Sequence, residues 1–442
     1  MNIQECLALM ERDAKVIAPC QHIHYFPLAV ARAEGSLLYD EDGNRYIDFL
    51  SSASSLNLGS SHPAVTAAIQ DQLGRFSQYV QAYVYNRRAV EYAERLASVY
   101  PGGVPAKVCY GNSGSDCNDA AIKFARGYTG RSRIISFLNS YHGSTYAASS
   151  MSTYSLKMHQ KMGPFLPEVY HFPFFGADLP DEVVERECLA EMENAFTYYL
   201  PPEEVAAVIL EPLQGDGGMV AAHPIFMRKL YELCQKHGIL FIAEEVQQGL
   251  WRTGKWFSIE HYGIIPDGII LGKSVGAGLP MGVFLAKAEI LDSLPAPAHV
   301  FTLSDNALAC AAGIAAFDVY QSEEFQTRLK ENIALAADRL AWLKSRHPDR
   351  VAFTRQLGLS IGVGVSTPDG PPDGDGAFLL YTRCFETGLV LLSMANNVLR
   401  VQPPLNLEPE LLTEGFDILD RAFFDLEAGR IPRQLLENKA GW

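Results

Sequence analysis

Between about residue 105 and residue 285, short apolar runs alternate with longer stretches of helical periodicity. This alternation restricts the chain more than any other feature. RIISFL (133–138), AAVILEP (206–212), ILFIAEEV (239–246) and GIILG (268–272) read as strands. FMRKLYELCQKHG, before the third of them, reads as a helix closed by Gly238. Such alternation predicts α/β architecture, a mostly parallel sheet covered by helices. Outside it, SLLYDEDGNRYID (36–48) predicts a hairpin turning at Asp42-Gly43-Asn44, and helical spacing begins at His62-Pro63. From about 305, two helical runs lead into strands near 351–365 and a Pro-, Gly- and Asp-rich loop at 367–376. The expected layout is a large domain at 61–300 and a small α+β domain assembled from 1–60 and 301–442.

In open α/β sheets, ligands gather where strands end at their carboxyl edges. Three predicted strands end in polar groups: Lys273 in GKSVGAGLP; Glu244, Glu245 and Gln247; and Glu211 followed by Asp216 in EPLQGDGG. A single lysine after a strand is more often structural or solvated, so the argument rests on all three together. GNSGSDCNDAAIKFARGY places small residues before a helix with apolar positions at 117, 120, 121, 124, 125 and 128. A helix N-terminus offers unpaired N–H groups and partial positive charge, so phosphate can sit there. Gly114 lets the backbone approach, and Ser115 adds a hydroxyl. By itself, Ser-Gly-Ser before a helix is usually an ordinary cap.

Six segments occur in one order: NSGSDCNDAAIKFAR, SYHGST, LEPLQGDGG, EEVQQGLWRTG, GKSVGAGLP and HVFTLSDN. On them the sequence resembles the class III pyridoxal-phosphate (PLP) aminotransferases, from about residue 22 to the last residues. The resemblance implies PLP fold type I, with PLP bound covalently by Lys273. It implies Gly114 and Ser115 as phosphate ligands, Tyr141 as the ring stacked on the pyridine, Val246 beneath that ring and Gln247 near the phenolic oxygen. Glu244 stands at the position of the pyridine-nitrogen partner. Thr302 matches a phosphate contact supplied by the neighbouring subunit, which implies a homodimer or higher homo-oligomer with a shared site. Arg400, in NVLRVQPPL, matches the arginine that binds the substrate carboxylate. The residue types suit the chemistry: an arginine fork grips a carboxylate, and a lysine released from the cofactor can move a Cα proton.

Within the family the likeness is to the branch of isoleucine 2-epimerases and amino-acid racemases. APAHVFT (296–302), LRVQPPL and the terminal Gly-Trp extend it beyond the cofactor motifs. Asp216 stands where typical aminotransferases of the class have Glu and related racemases have Asp. In those racemases this carboxylate and the neighbouring tyrosine serve the face opposite the lysine. The resemblance therefore implies inversion at Cα of amino acids with nonpolar side chains, with Lys273, Asp216 and Tyr141 as catalytic residues. An aminotransferase passing amino groups to a 2-keto acid is the alternative, and a non-catalytic PLP-fold binding protein is a more distant third. Two residues depart from the family pattern: Glu244 replaces Asp, and Trp251 in GLWRTG replaces Gly.

Composition narrows the partners. Net charge is −15 without any run of Lys and Arg, whereas nucleic acid and anionic membranes need a basic footprint. None of the eight cysteines forms a CxxC pair, so free thiols in a reducing cytoplasm are expected. Glu5 and Glu11 stand where a signal peptide needs a basic start, and no stretch approaches the roughly 20 apolar residues of a membrane span. His62, His142 and His299 lack metal-site spacing, so no metal is expected. YVQAYVYN (79–86) reads as core or interface.

Overall fold

The computed structural model describes residues 1–439 and 441; Trp442 of the terminal Gly-Trp lies outside them. The chain packs as two compact units, one of residues 63–321 and one of both chain ends, 1–62 and 322 onward. The packing assigns the helix Ala307–Tyr320 to the larger unit, whereas the sequence-based boundary at 300 assigns it to the smaller. That helix is apolar around most of its circumference and packs on the helices Pro63–Leu73 and Arg87–Ser98.

The larger unit holds a seven-stranded sheet. Its strands are β1 (Ala106–Gly111), β2 (Arg133–Phe137), β3 (Val169–Phe172), β4 (Val205–Leu210), β5 (Leu240–Glu244), β6 (Gly268–Leu271) and β7 (Gly282–Lys287). Their spatial order is β1-β7-β6-β5-β4-β2-β3. β7 runs antiparallel to both neighbours, and the remaining pairings are parallel. Every residue of β4, β5 and β6 is buried, as strands covered on both faces require. The expected α/β class with a mostly parallel sheet is what forms.

The helix Gly114–Thr129 starts at a capping box between Ser113 and Asp116 and ends at Gly130 with φ +69°. Five of its six expected apolar positions are buried; Tyr128 instead projects into solvent and Ile122 fills the inward face. Gly238, at φ +62°, closes the helix Pro224–His237.

In the smaller unit the predicted hairpin pairs Leu37–Asp40 with Arg45–Asp48, and the Asp40 carboxylate accepts the N–H groups of Asp42 and Asn44. A second, antiparallel sheet joins Val351–Leu357, Ser360–Val365, Val398–Val401 and Leu392–Met394 in that order. The loop read at 367–376 is shorter than expected. Asp373 accepts the Gly376 N–H at 2.7 Å and starts the helix Gly374–Glu386 inside it. His347 is buried at the end of the helix Glu323–Arg346, with Glu427 Oε1 at 2.7 Å from Nδ1 and Asp420 Oδ1 at 3.0 Å from Nε2. Among the described residues no helix is long and apolar enough to cross a membrane, and the eight cysteines are free.

Candidate functional site

β4, β5 and β6 are parallel neighbours, so their carboxyl ends open side by side in the larger unit. The helix Gly114–Thr129 begins against them. A Cβ on Gly272 would stand 3.0 Å from the Cα and N of Gly114, and one on Gly114 would stand 2.7 Å from Val246 Cγ2. Gly114, Val246 and Gly272 thus form one tight floor with no room for a further carbon. Lys273 follows Gly272 at φ +48°, a left-handed conformation that costs a non-glycine residue roughly 1–2 kcal/mol.

Two loops complete the site. Ser115 Oγ accepts the Ser144 N–H at 3.1 Å, and the Tyr141 hydroxyl lies 3.2 Å from Ser144 Oγ. Gly143, at φ +132°, packs against Ser115 so closely that a Cβ would come within 2.6 Å of the serine Cβ. Asn118 is fully buried and its amide donates to Gly114 O at 3.0 Å and His142 O at 2.8 Å. It therefore ties the first turn of the helix to the Tyr141 loop. The sequence reading passed over this residue, although an asparagine on the apolar face of a helix is a signal in itself.

Glu211, just past β4, accepts the Tyr141 N–H at 3.0 Å on Oε1 and the Gly215 N–H at 3.2 Å on Oε2. The Gln247 amide lies against Gly215, where any Cβ would overlap it, and its Oε1 accepts from Gln248 Nε2 at 2.9 Å. Glu244 Oε1 accepts the Val246 N–H at 3.2 Å, so the longer side chain that replaces Asp curls back toward its own strand end. Glu245 faces elsewhere: it accepts from Ser258 Oγ and the Ile259 N–H, each at 2.8 Å on Oε1.

Electrostatics tie these groups together. Burial pushes Glu244 well above the usual carboxylate range; the Glu211 charge adds to this, and Lys273 opposes it. Burial also pushes Glu211 up, to about 8. That value already includes the Asp216 charge, which raises it, and the Tyr141 and Gly215 N–H groups and Lys273, which pull it down. The Tyr141 phenol is raised by burial and then by the charges of Asp216 and Glu244. Tyr141, Glu211, Asp216, Glu244 and Lys273 therefore share one electrostatic field.

This arrangement suits a phosphorylated, flat, cationic ring. The N–H groups of the first helical turn and Ser115 can take phosphate. The floor at Val246 can underlie a flat ring. Lys273 offsets only part of the burden on Glu211 and Glu244, so a protonated ring nitrogen beside Glu244 would add positive charge where it lowers that burden.

The structure brings Lys273, Asp216, Tyr141, Gly114, Ser115, Glu244, Val246 and Gln247 together. Thr302 lies on an exposed loop of the same unit, where its carbonyl accepts from Gln78 Nε2 at 3.2 Å. Arg400 is buried in the smaller unit on Val398–Val401, and its Nε donates to Gln402 Oε1. Trp251, at φ +72°, rests on Trp256 with ring centroids 5.4 Å apart, which is a packing role. His142 supports the Tyr141 loop: its ring lies 3.1 Å from Ser136 Oγ, and burial keeps it neutral with a pKa lowered to about 3.

Comparison with known proteins shows the family. The family described as "Aminotransferase class-III" matches residues 19–423. The chain is 40% identical to the isoleucine 2-epimerase of Lentilactobacillus buchneri, over 100% of both chains. It is 36% identical to the leucine/methionine racemase of Thermococcus litoralis, over 98% of this chain and 99% of that one. A PLP-bound amine transaminase from an uncultivated Pseudomonas species superposes with a TM-score of 0.83 at 26% identity, over 93% of this chain and 97% of that one. With a strand-end lysine beside a phosphate-type helix start and buried carboxylates, and with similarity along its whole length, this chain belongs to the class III aminotransferase family and is an enzyme of PLP fold type I with pyridoxal 5'-phosphate as cofactor.

Proposed function

We propose that this enzyme is an amino-acid racemase or epimerase, inverting Cα of amino acids with nonpolar side chains. The observation that carries the reading is that Lys273, after β6, shares one electrostatic field with two further groups able to carry a proton, Asp216 after β4 and Tyr141 after β2. Bound PLP withdraws electrons from Cα and so eases the loss of its proton. Inversion then needs one group to take the proton from one face and a second to return one to the other. Lys273 Nζ serves one face. The Asp216 carboxylate serves the other, through the Tyr141 hydroxyl or a water. Burial and the Asp216 charge keep the Tyr141 phenol protonated, so it is available as a donor. An aminotransferase needs only the lysine for proton shuttling, and the second centre would then have no proton to move. The full-length likeness to proteins named as an epimerase and a racemase supports the same reading.

In this reading Gly114, Ser115 and the helix N-terminus hold the cofactor phosphate. Glu244 faces the ring nitrogen, Val246 lies beneath the ring, Tyr141 stacks on it and Gln247 sits beside the phenolic oxygen. Arg400 takes the substrate carboxylate, because a guanidinium fork matches it with two parallel hydrogen bonds. The larger unit is the PLP-binding domain. Thr302 reaches the phosphate of a neighbouring protomer, which makes the enzyme a homodimer or higher homo-oligomer with a shared site. Leu73, Phe76, Tyr79, Tyr83, Tyr85 and Leu303 are exposed, with Tyr85 at 97%. That much apolar surface, most of it between residues 73 and 85, suits a subunit interface and is not core. The free cysteines suit a reducing cytoplasm.

The test is PLP-loaded enzyme with L-isoleucine or L-valine in heavy water without keto acid, followed by chiral chromatography and mass spectrometry. The inverted amino acid, deuterated at Cα and formed without keto acid, is the expected product. Retained configuration across a broad panel, with conversion only after keto acid is added, would overturn the reading and leave an aminotransferase. Asp216→Asn should lower inversion about 10²–10⁴-fold while PLP remains bound.

A further inference from the structure

Glu211 is buried, with 4% of its surface exposed, and each of its two carboxylate oxygens accepts a different loop's backbone N–H. Oε1 takes the Tyr141 N–H at 3.0 Å, and Oε2 takes the Gly215 N–H, the residue before Asp216, at 3.2 Å. Tyr141 is 70 residues from Glu211 in sequence, so nothing local sets its position relative to the Gly215–Asp216 turn. The clamp is braced on both sides. Gln247 leaves Gly215 no space for even a Cβ, and Ser115 packs under Gly143 behind Tyr141. A carboxyl group suits this task, because each of its two oxygens keeps a lone pair that can accept an N–H whether or not the group carries a proton.

We infer that Glu211 is a positioning residue that assembles the second proton centre by holding Tyr141 and Asp216 in register, without itself moving a proton. The inference rests on the racemase reading. It separates the role of Glu211 from that of Lys273: disturbing the clamp harms proton delivery at one face of Cα more than at the other. Burial and the neighbouring Asp216 charge make the carboxylate costly to keep, which is consistent with a residue retained for its geometry.

The experiment compares two products in heavy water with PLP-loaded protein: inverted amino acid carrying deuterium at Cα, and deuterated amino acid of retained configuration. In Glu211→Gln the amide oxygen can hold only one of the two N–H groups, and its NH₂ meets the other donor to donor. The ratio of inverted to retained deuterated product should fall about tenfold or more. PLP should stay covalently held, with its visible absorbance present, because Lys273 is unchanged. An unaltered ratio in this variant, or a proportional fall of both products, overturns the inference. Glu211→Asp keeps the charge but shortens the reach, so the ratio should fall in the same direction; if the Gln variant does not fold, a wild-type ratio in the Asp variant overturns the inference. Wild-type enzyme that fails to invert would sink the functional reading and this role with it. Wild-type enzyme that inverts while both variants match it would sink this role alone.

Discussion

A methyl group added at Gly114 would sit 2.7 Å and 2.8 Å from the two γ-carbons of Val246. Carbon atoms pack best at about 3.5–4.0 Å, so either Val246 or the helix N-terminus must shift. Overpacking of this kind costs about 1–3 kcal/mol. Alanine gains at most about 1 kcal/mol over glycine in a helix, and less at its first residue, so the clash wins. Because both movable parts belong to the cofactor cradle, Gly114→Ala should weaken PLP binding about 5- to 30-fold, equivalent to about 1–2 kcal/mol. Val246→Ala alone removes two methyls and should cost about 1–2 kcal/mol. In the double variant the added methyl falls into the space just vacated, so the two losses should offset each other, with a coupling of about 1–2 kcal/mol. The assay is absorbance titration of PLP into the four apo proteins, with urea unfolding of each apo form to separate binding from stability. Wild-type affinity in Gly114→Ala would refute the tight floor, as would a double variant whose loss equals the two single losses within about 0.3–0.5 kcal/mol.

Lys273→Ala should abolish the visible absorbance of covalently held PLP, and a band that survives would remove Lys273 as the attachment point. Burial lifts Glu245 to about 7 in the folded chain, against an ordinary value of 4.5. The folded state therefore holds this proton more tightly than the unfolded state. Stability contributed by the group is present below about pH 4.5 and is lost as pH rises toward 7. Glu245→Gln should flatten that part of the dependence of the urea midpoint on pH, and an unchanged slope would refute the linkage. His347→Leu should lower stability by about 2–3 kcal/mol, because the carboxylates of Asp420 and Glu427 lose the ring that both face. Denaturant unfolding of the apo protein checks this, and a loss under about 0.5 kcal/mol would contradict it.

The amino-acid order alone determined the architecture of the larger unit, because strands buried on both faces must be continuous apolar runs, as AAVIL and LFIA are. It also exposed Lys273, Glu244 and Glu211, since polar residues at the end of such runs or directly after them lie at the carboxyl edge of the sheet. Where burial was partial or local chemistry competed, the pattern misled. Tyr128 fits the helical period yet faces solvent, and Asp373 starts a helix in a segment whose glycines and prolines read as loop. Tertiary structure alone decided that Glu244 curls back onto the Val246 N–H, that Asn118 joins Gly114 to His142, and that Glu211 holds Tyr141 and Gly215 together. Periodicity reports which face of an element is buried. A hydrogen bond between loops depends on where two distant stretches of backbone come to rest, and that is settled only when the sheet and its covering helices have packed.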